Sequence, residues 1–337
     1  MYLGATWRAF LEGTLAAPLW GALQSHVLWA WIKPPVYSFE GADTSSEKSE
    51  LRFLASLVNK SASELYRDIR TLKERDLIQS RDVWRAVLPH AIANRLAKRA
   101  LESIPKDSLV RAFLCFGSER LIKSFARRLN YLHDCNPAIE IVNEWLVHDG
   151  WIGKHICNLN AFGMEVFRNI APVAPEKALE AIERAANGDE GSQFISRENT
   201  HSYEFVQLLR HLAYDPELFE RSVNLISRYA LSEKQEDNND ITTRNVLKSL
   251  FYIYLSGTHV PVESRAKIIE ELVDSEDQDK QEIGLHLLDA ALETWHFSSS
   301  DDFGFGARPR DFGYQPETHK EVIHWPGFPC IMCDLTP

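Results

Sequence analysis

The sequence predicts a mainly α protein: a winged-helix domain followed by a HEAT-like α-solenoid. Three observations carry that expectation. Ser61-Ala62-Ser63-Glu64 has the spacing of a capping box, and Leu65, Ile69 and Leu72 follow it at helical spacing. Leu77 to Leu88 forms two short runs around a polar Arg81-Asp82 pair, the pattern of a hairpin. Beyond residue 105, Pro137, Pro175, Pro216 and Pro261 recur at separations of 38, 41 and 45 residues. Each lies between two helical apolar patterns, and that is the period of stacked helical hairpins.

The elements follow in order. Residues 1–35 are an apolar segment, nearly uncharged from Gly13 to Ile32, and read as a remnant of a larger domain. Pro18, Gly21, Gln24, Ser25 and His26 interrupt it, so a membrane span is not expected. Residues 36–104 are the winged helix. Val36 to Phe39 is a short apolar element. Glu47 to Val58 is a helix with Leu51, Leu54, Leu57 and Val58 on one face. The capped helix and the hairpin come next. Pro89 then opens a helix striped by Ile92, Leu96, Ala100 and Ile104, because the first helical turn does not need its missing N–H. Residues 105–297 are the repeats, with helices over 121–132, 138–146, 162–170, 178–186, 205–212, 218–229, 246–255, 265–273 and 283–295. Residues 188–200 and 235–240 are polar loops. Residues 298–337 form a tail rich in glycine, aromatics and arginine.

Composition limits the function classes. The 337 residues are 45% hydrophobic and carry a net charge of −11. Residues 47–104 run the other way, with twelve bases and eight acids giving +4, so the remaining residues carry −15. An acidic body disfavours broad nucleic-acid binding. Five scattered cysteines suggest a reducing, cytoplasmic setting rather than a disulfide framework.

Several residue sets are candidates for chemistry. On the capped helix and hairpin, Arg67, Arg70, Lys73 and Arg85 are the residues that would meet DNA phosphates. Glu64, Asp68, Glu74 and Asp76 balance that helix, which favours a solvated face with i,i+4 pairs. Arg120, Lys123, Arg127 and Arg128 form a second basic cluster, which either meets a phosphate or an acidic partner or, more commonly for such a run, is a solvated face beside the acids Glu119 and Asp134. In the tail, Arg308, Arg310 and Asp311 sit among glycines and aromatics. They either clamp a ligand or belong to a rigid loop that docks back, its arginines paired to its own aspartates. His319, His324, Cys330 and Cys333 have zinc-type side chains without finger spacing, so no metal is expected. No Gly-x-Ser-x-Gly and no His-Glu-x-x-His motif is present, and no catalytic residue is assigned.

Pro89-His90-Ala91 followed by Ile92, Leu96 and Ala97 resembles the end of the winged helix in STAND NTPases, the signal-transducing ATPases of the NACHT and NB-ARC kind. Residues from about 36 to 320 resemble the C-terminal half of bacterial STAND proteins linked to anti-phage defence. The tracts that carry this are Tyr37-Ser38-Phe39, Trp84 to His90, Phe167 to Pro172 and Phe305 to Asp311. The resemblance implies that His90 touches the β-phosphate of bound ADP, donating a ring N–H. It also implies that the repeats bind a foreign protein of phage origin. The family's acid after the histidine is Ala91 here, and no Gly-x-x-x-x-Gly-Lys-Ser/Thr loop exists in the chain. ATP or ADP is therefore expected only with a nucleotide-binding domain supplied elsewhere, and the chain itself is expected to be a non-catalytic sensor. The alternative is a winged-helix DNA-binding regulator with a ligand-sensing helical domain.

Overall fold

The computed structural model describes residues 41–46, 49–81, 83–87, 90–233, 242–252, 255–293 and 304–314. Within them the protein is mainly helical, with fourteen α-helices, a short 3-10 helix and one two-stranded sheet. The expectations for residues 1–40, for the loop at 235–240, and for the zinc-type residues at 319–333 lie outside the described residues.

The first elements are α1 (Glu50–Ser56) and α2 (Ala62–Lys73), then β1 (Ile78–Arg81), β2 (Trp84–Val87) and α3 (His90–Ser103). The capping box forms: the Ser61 hydroxyl accepts from the Glu64 N–H, and Glu64 accepts from the Ser61 N–H at 2.8 Å. At the other end Asp76 adopts φ 57° and the Leu77 N–H bonds back to the Leu72 carbonyl, which stops the helix and aims the chain into β1. The strands are antiparallel, with Ile78 opposite Val87 and Ser80 opposite Arg85. Gly41 donates its N–H to the Val83 carbonyl at 2.8 Å, which brings the segment before α1 to the hairpin tip.

Next come α4 (Lys106–Phe116), α5 (Glu119–Leu129), α6 (Asn136–Leu146), the 3-10 helix Gly153–Asn158 and α7 (Ala161–Ile170). They are followed by α8 (Pro175–Asn187), α9 (Gly191–Ile195), α10 (Ser202–Leu212), α11 (Pro216–Ser232) and α12 (Thr243–Ser249). The last are α13 (Val262–Val273) and α14 (Gln278–Leu292). Three features differ from the periodicity reading. Residues 106–116 are helical because Leu109 and Phe113, one turn apart, reach the interior. The polar loop at 188–200 holds the short α9, whose Phe194 and Ile195 are buried. The helix expected over 246–255 stops at Ser249, and the Tyr252 carbonyl is taken by the Arg265 guanidinium at 2.7 Å.

Two compact units result. One contains Met1–Glu144 with Ala161–Ala174, the other Trp145–Asn160 with Pro175–Pro337. In the first, Phe113 links α1 to α5: it meets the Phe53 ring edge-on at 5.3 Å and stacks on Phe125 at 4.5 Å. In the second, Phe194 meets Phe205 and Tyr229, while Phe219 faces Phe251.

A regular spacing runs through the polar contacts. Lys106 pairs with Glu144, Arg127 with Glu165, Arg221 with Glu183 at 2.8 Å and Arg244 with Glu282 at 2.9 Å. All four separations are 38 residues. The Arg184 guanidinium reaches the Leu146 carbonyl over the same interval.

Candidate functional site

Two places bring the sequence-predicted residues together. The first is a surface groove of about 410 Å³ between α2 and β2, lined by Tyr66, Ile69, Arg70, Lys73, Glu74 and Arg85. The period of α2 puts Ile69 in the interior and leaves Tyr66, Arg70 and Lys73 outside. The register of β2 brings Arg85 alongside. Three of the four candidate phosphate contacts thus share one groove. Arg67 is not in its lining; its Nε contacts the Ser63 carbonyl at 3.4 Å. Arg70 is 3.3 Å from Glu74, a pair with both side chains largely in solvent. His90 is the first residue of α3, three residues past the end of β2; its side chain lies outside the described residues.

The basic cluster of α5 is not a solvated face beside Glu119 and Asp134. Arg120 holds Glu50, the first residue of α1, with its Nε 2.8 Å from Oε1, and lies 4.9 Å from the centre of the Trp84 ring of β2. Lys123 and Arg127 both reach Glu165 on α7, Lys123 at 2.7 Å. Burial pushes the Glu165 carboxyl up, but the two cations outweigh it and hold the group below the usual range. Asp134 pairs with Lys98 of α3 at 2.8 Å. Arg128 is fully buried and reaches Asn94 of α3, and burial draws its guanidinium down to about 10. Glu50, Glu165, Trp84 and Asn94 carry no local signal in the sequence. For Glu165 the pointer was the 38-residue spacing from Arg127.

The second place is the tail. Gly304–Tyr314 docks back, as one of the two tail readings held, and Arg310 turns to residues of the preceding helices rather than to the neighbouring Asp311. The Arg310 guanidinium sits between the Tyr214 and Phe305 rings, 4.4 and 4.3 Å from their centres, and donates to the His211 carbonyl at 2.7 Å. It lies 4.0 Å from the Asp215 carboxylate. Burial draws it down to about 10. Asp311 instead lies 2.7 Å from His259 Nε2 and accepts from the Tyr214 hydroxyl at 3.1 Å and the Gly313 N–H at 2.8 Å. Those bonds, the Gly313 one foremost, hold its carboxyl below the usual range. Arg308 is half-buried, and burial lowers it too. Tyr214, Asp215 and His259 are residues that no motif announced.

Among the described residues no group of three or more His, Cys, Asp or Glu could hold a metal, and no helix is long and apolar enough to cross a membrane. The fold so far defined is that of a mainly helical protein with one small hairpin. The chain matches no family model, and no curated protein or solved structure is significantly similar to it.

Proposed function

We propose that this chain is the non-catalytic sensor and regulatory portion of a bacterial STAND-type ATPase of anti-phage defence. In this reading α1 to α3 with the hairpin are the winged helix, and the later helices are HEAT-like repeats that bind a protein ligand in the cytoplasm. The single observation that carries it is the grip of Arg120. One α5 side chain holds the start of α1 through Glu50 and stacks on Trp84 of β2. A displacement of α5 is felt at once by α1 and by the hairpin, and the hairpin is followed by His90. The 38-residue pairing supports a stacked-hairpin reading, since each pair ties a helix to its equivalent in the next repeat. ATP or ADP is held by a nucleotide-binding domain, to whose phosphate His90 donates; this chain has no phosphate-binding loop of its own.

The test pairs the purified chain with an ADP-loaded nucleotide-binding domain from a STAND ATPase. The expected result is a complex that retains ADP longer than the domain alone, with His90→Ala cancelling the gain. ATP turnover by this chain alone, or ADP retention indifferent to His90→Ala, overturns the reading.

The groove between α2 and β2 favours one alternative, a winged-helix DNA-binding regulator, because Arg70, Lys73 and Arg85 share it. Salt-dependent binding of duplex DNA, lost in Arg67→Ala with Lys73→Ala, would select that alternative.

A further inference from the structure

The tail segment is held as a recognition site holds a peptide. Two main-chain bonds tie it to the loop before α13: the Gly257 N–H donates to the Phe312 carbonyl at 3.1 Å, and the Tyr314 N–H to the Thr258 carbonyl at 2.7 Å. Backbone pairing of this kind reads an extended segment whatever its side chains, and pockets then add specificity. One pocket takes an arginine. The His211 carbonyl comes from the last turn of α10 and the Tyr214 face from the α10–α11 turn, and Phe305 from the segment itself lies over the guanidinium while stacking on His211 at 5.6 Å. The Arg310 side chain is only 3% exposed there. A second, wetter pocket takes the aspartate, through His259 and the Tyr214 hydroxyl. The third position admits only glycine. Gly313 has φ +90°, and a Cβ on it would come within 2.5 Å of the Thr258 nitrogen.

The cradle also breaks a local rule. Asp215 occupies the N-cap of α11, where an aspartate ordinarily accepts from the helix N–H groups, yet its side chain makes no capping bond. Its carboxylate lies 4.0 Å from Arg310 Nη2, within ionic range but beyond a hydrogen bond.

We propose that this cradle, formed by the α10–α11 turn and residues 256–260, is a peptide-recognition site for an extended Arg-Asp-aromatic-Gly segment. The chain fills it with its own residues 310–313, and a segment of the same sequence on a partner protein exchanges with them. The proposal stands on these contacts and not on the ATPase reading. The resident segment follows α14 in the same chain, so it holds the site at a high effective concentration, and exchange needs either a weakened resident or a partner at comparable concentration.

The experiment uses the full chain carrying Arg310→Ala and Gly313→Ala, which empties the arginine pocket and drives a Cβ into Thr258, together with a fluorescent peptide of residues 302–316. Fluorescence anisotropy should show the peptide binding the variant at least tenfold more tightly than it binds the wild-type chain. A peptide with alanine in place of Arg310 should not bind. A folded variant that ignores the peptide, equal binding to variant and wild type, or equal binding of the alanine peptide each overturns the proposal. If the double variant loses its helical circular dichroism, the chain carrying Arg310→Ala alone takes its place with the same outcomes, since it empties the arginine pocket without driving a Cβ into Thr258.

Discussion

Two regions, the α5 face and the tail cradle, treat their arginines in opposite ways. On α5, Arg120 and Arg127 each meet a carboxylate, from Glu50 and Glu165, brought from distant positions in the chain. In the tail cradle Arg310 lies between two aromatic faces, with a carbonyl at 2.7 Å and its carboxylate no closer than 4.0 Å. The first arrangement is Coulombic, so salt and loss of charge weaken it. The second rests on the ring quadrupole and on the flat shape of guanidinium in a desolvated slot, so shape matters more than charge. An interior joint between helices suits the first. A slot that admits one residue type suits the second.

The largest expected effect breaks the second arrangement. Arg310→Ala should cost about 2–3 kcal/mol, the sum of a desolvated cation–aromatic contact and a charge-assisted hydrogen bond. Chemical denaturation of the variant against wild type measures it. Arg310→Lys should recover less than half, because a compact ammonium cannot lie flat between two rings; full recovery would show that charge alone holds the tail.

Next comes the joint at Arg120. Arg120→Ala should cost about 1–2 kcal/mol, and a double-mutant cycle with Glu50→Gln should show coupling of about 1 kcal/mol that shrinks in 1 M salt. Additive single-variant effects would mean that the Trp84 contact, not the ion pair, does the holding.

The third effect is on pH. The Asp311 carboxyl is held below its ordinary value of 3.8, chiefly by the Gly313 N–H. A carboxylate depressed in the folded state contributes stability that is present above its unfolded value and is lost as pH falls through the folded one. Docking of residues 304–314 should therefore loosen below pH 3.8, as hydrogen exchange at the Tyr314 amide would report. Asp311→Asn should remove that pH dependence, and a profile unchanged by the substitution would assign it to another group.

The smallest effect lies at the groove. Glu74→Ala removes the partner of Arg70 where both side chains are mostly in solvent, so stability should move by less than about 0.5 kcal/mol. The same change removes an acid from the groove, so any affinity for duplex DNA should rise. A fall would argue against the groove as a phosphate contact.

The sequence by itself determined the local elements wherever a chemical signal is local. The Ser61–Glu64 box, the paired strands β1 and β2 and the proline-opened helices at Pro175 and Pro216 need only a few consecutive residues, and each formed where its pattern stood. The gathering of Arg70, Lys73 and Arg85 was half legible: helical period placed the first two together, but only the strand register added the third. Tertiary structure decided the rest. The periodicity of apolar residues cannot say that Glu50 waits for Arg120 across 70 residues, or that Asp311 finds His259 across 52. A charge or a hydrogen bond is satisfied by whichever group the packed backbone brings within about 3 Å, and that choice is made by the fold as a whole.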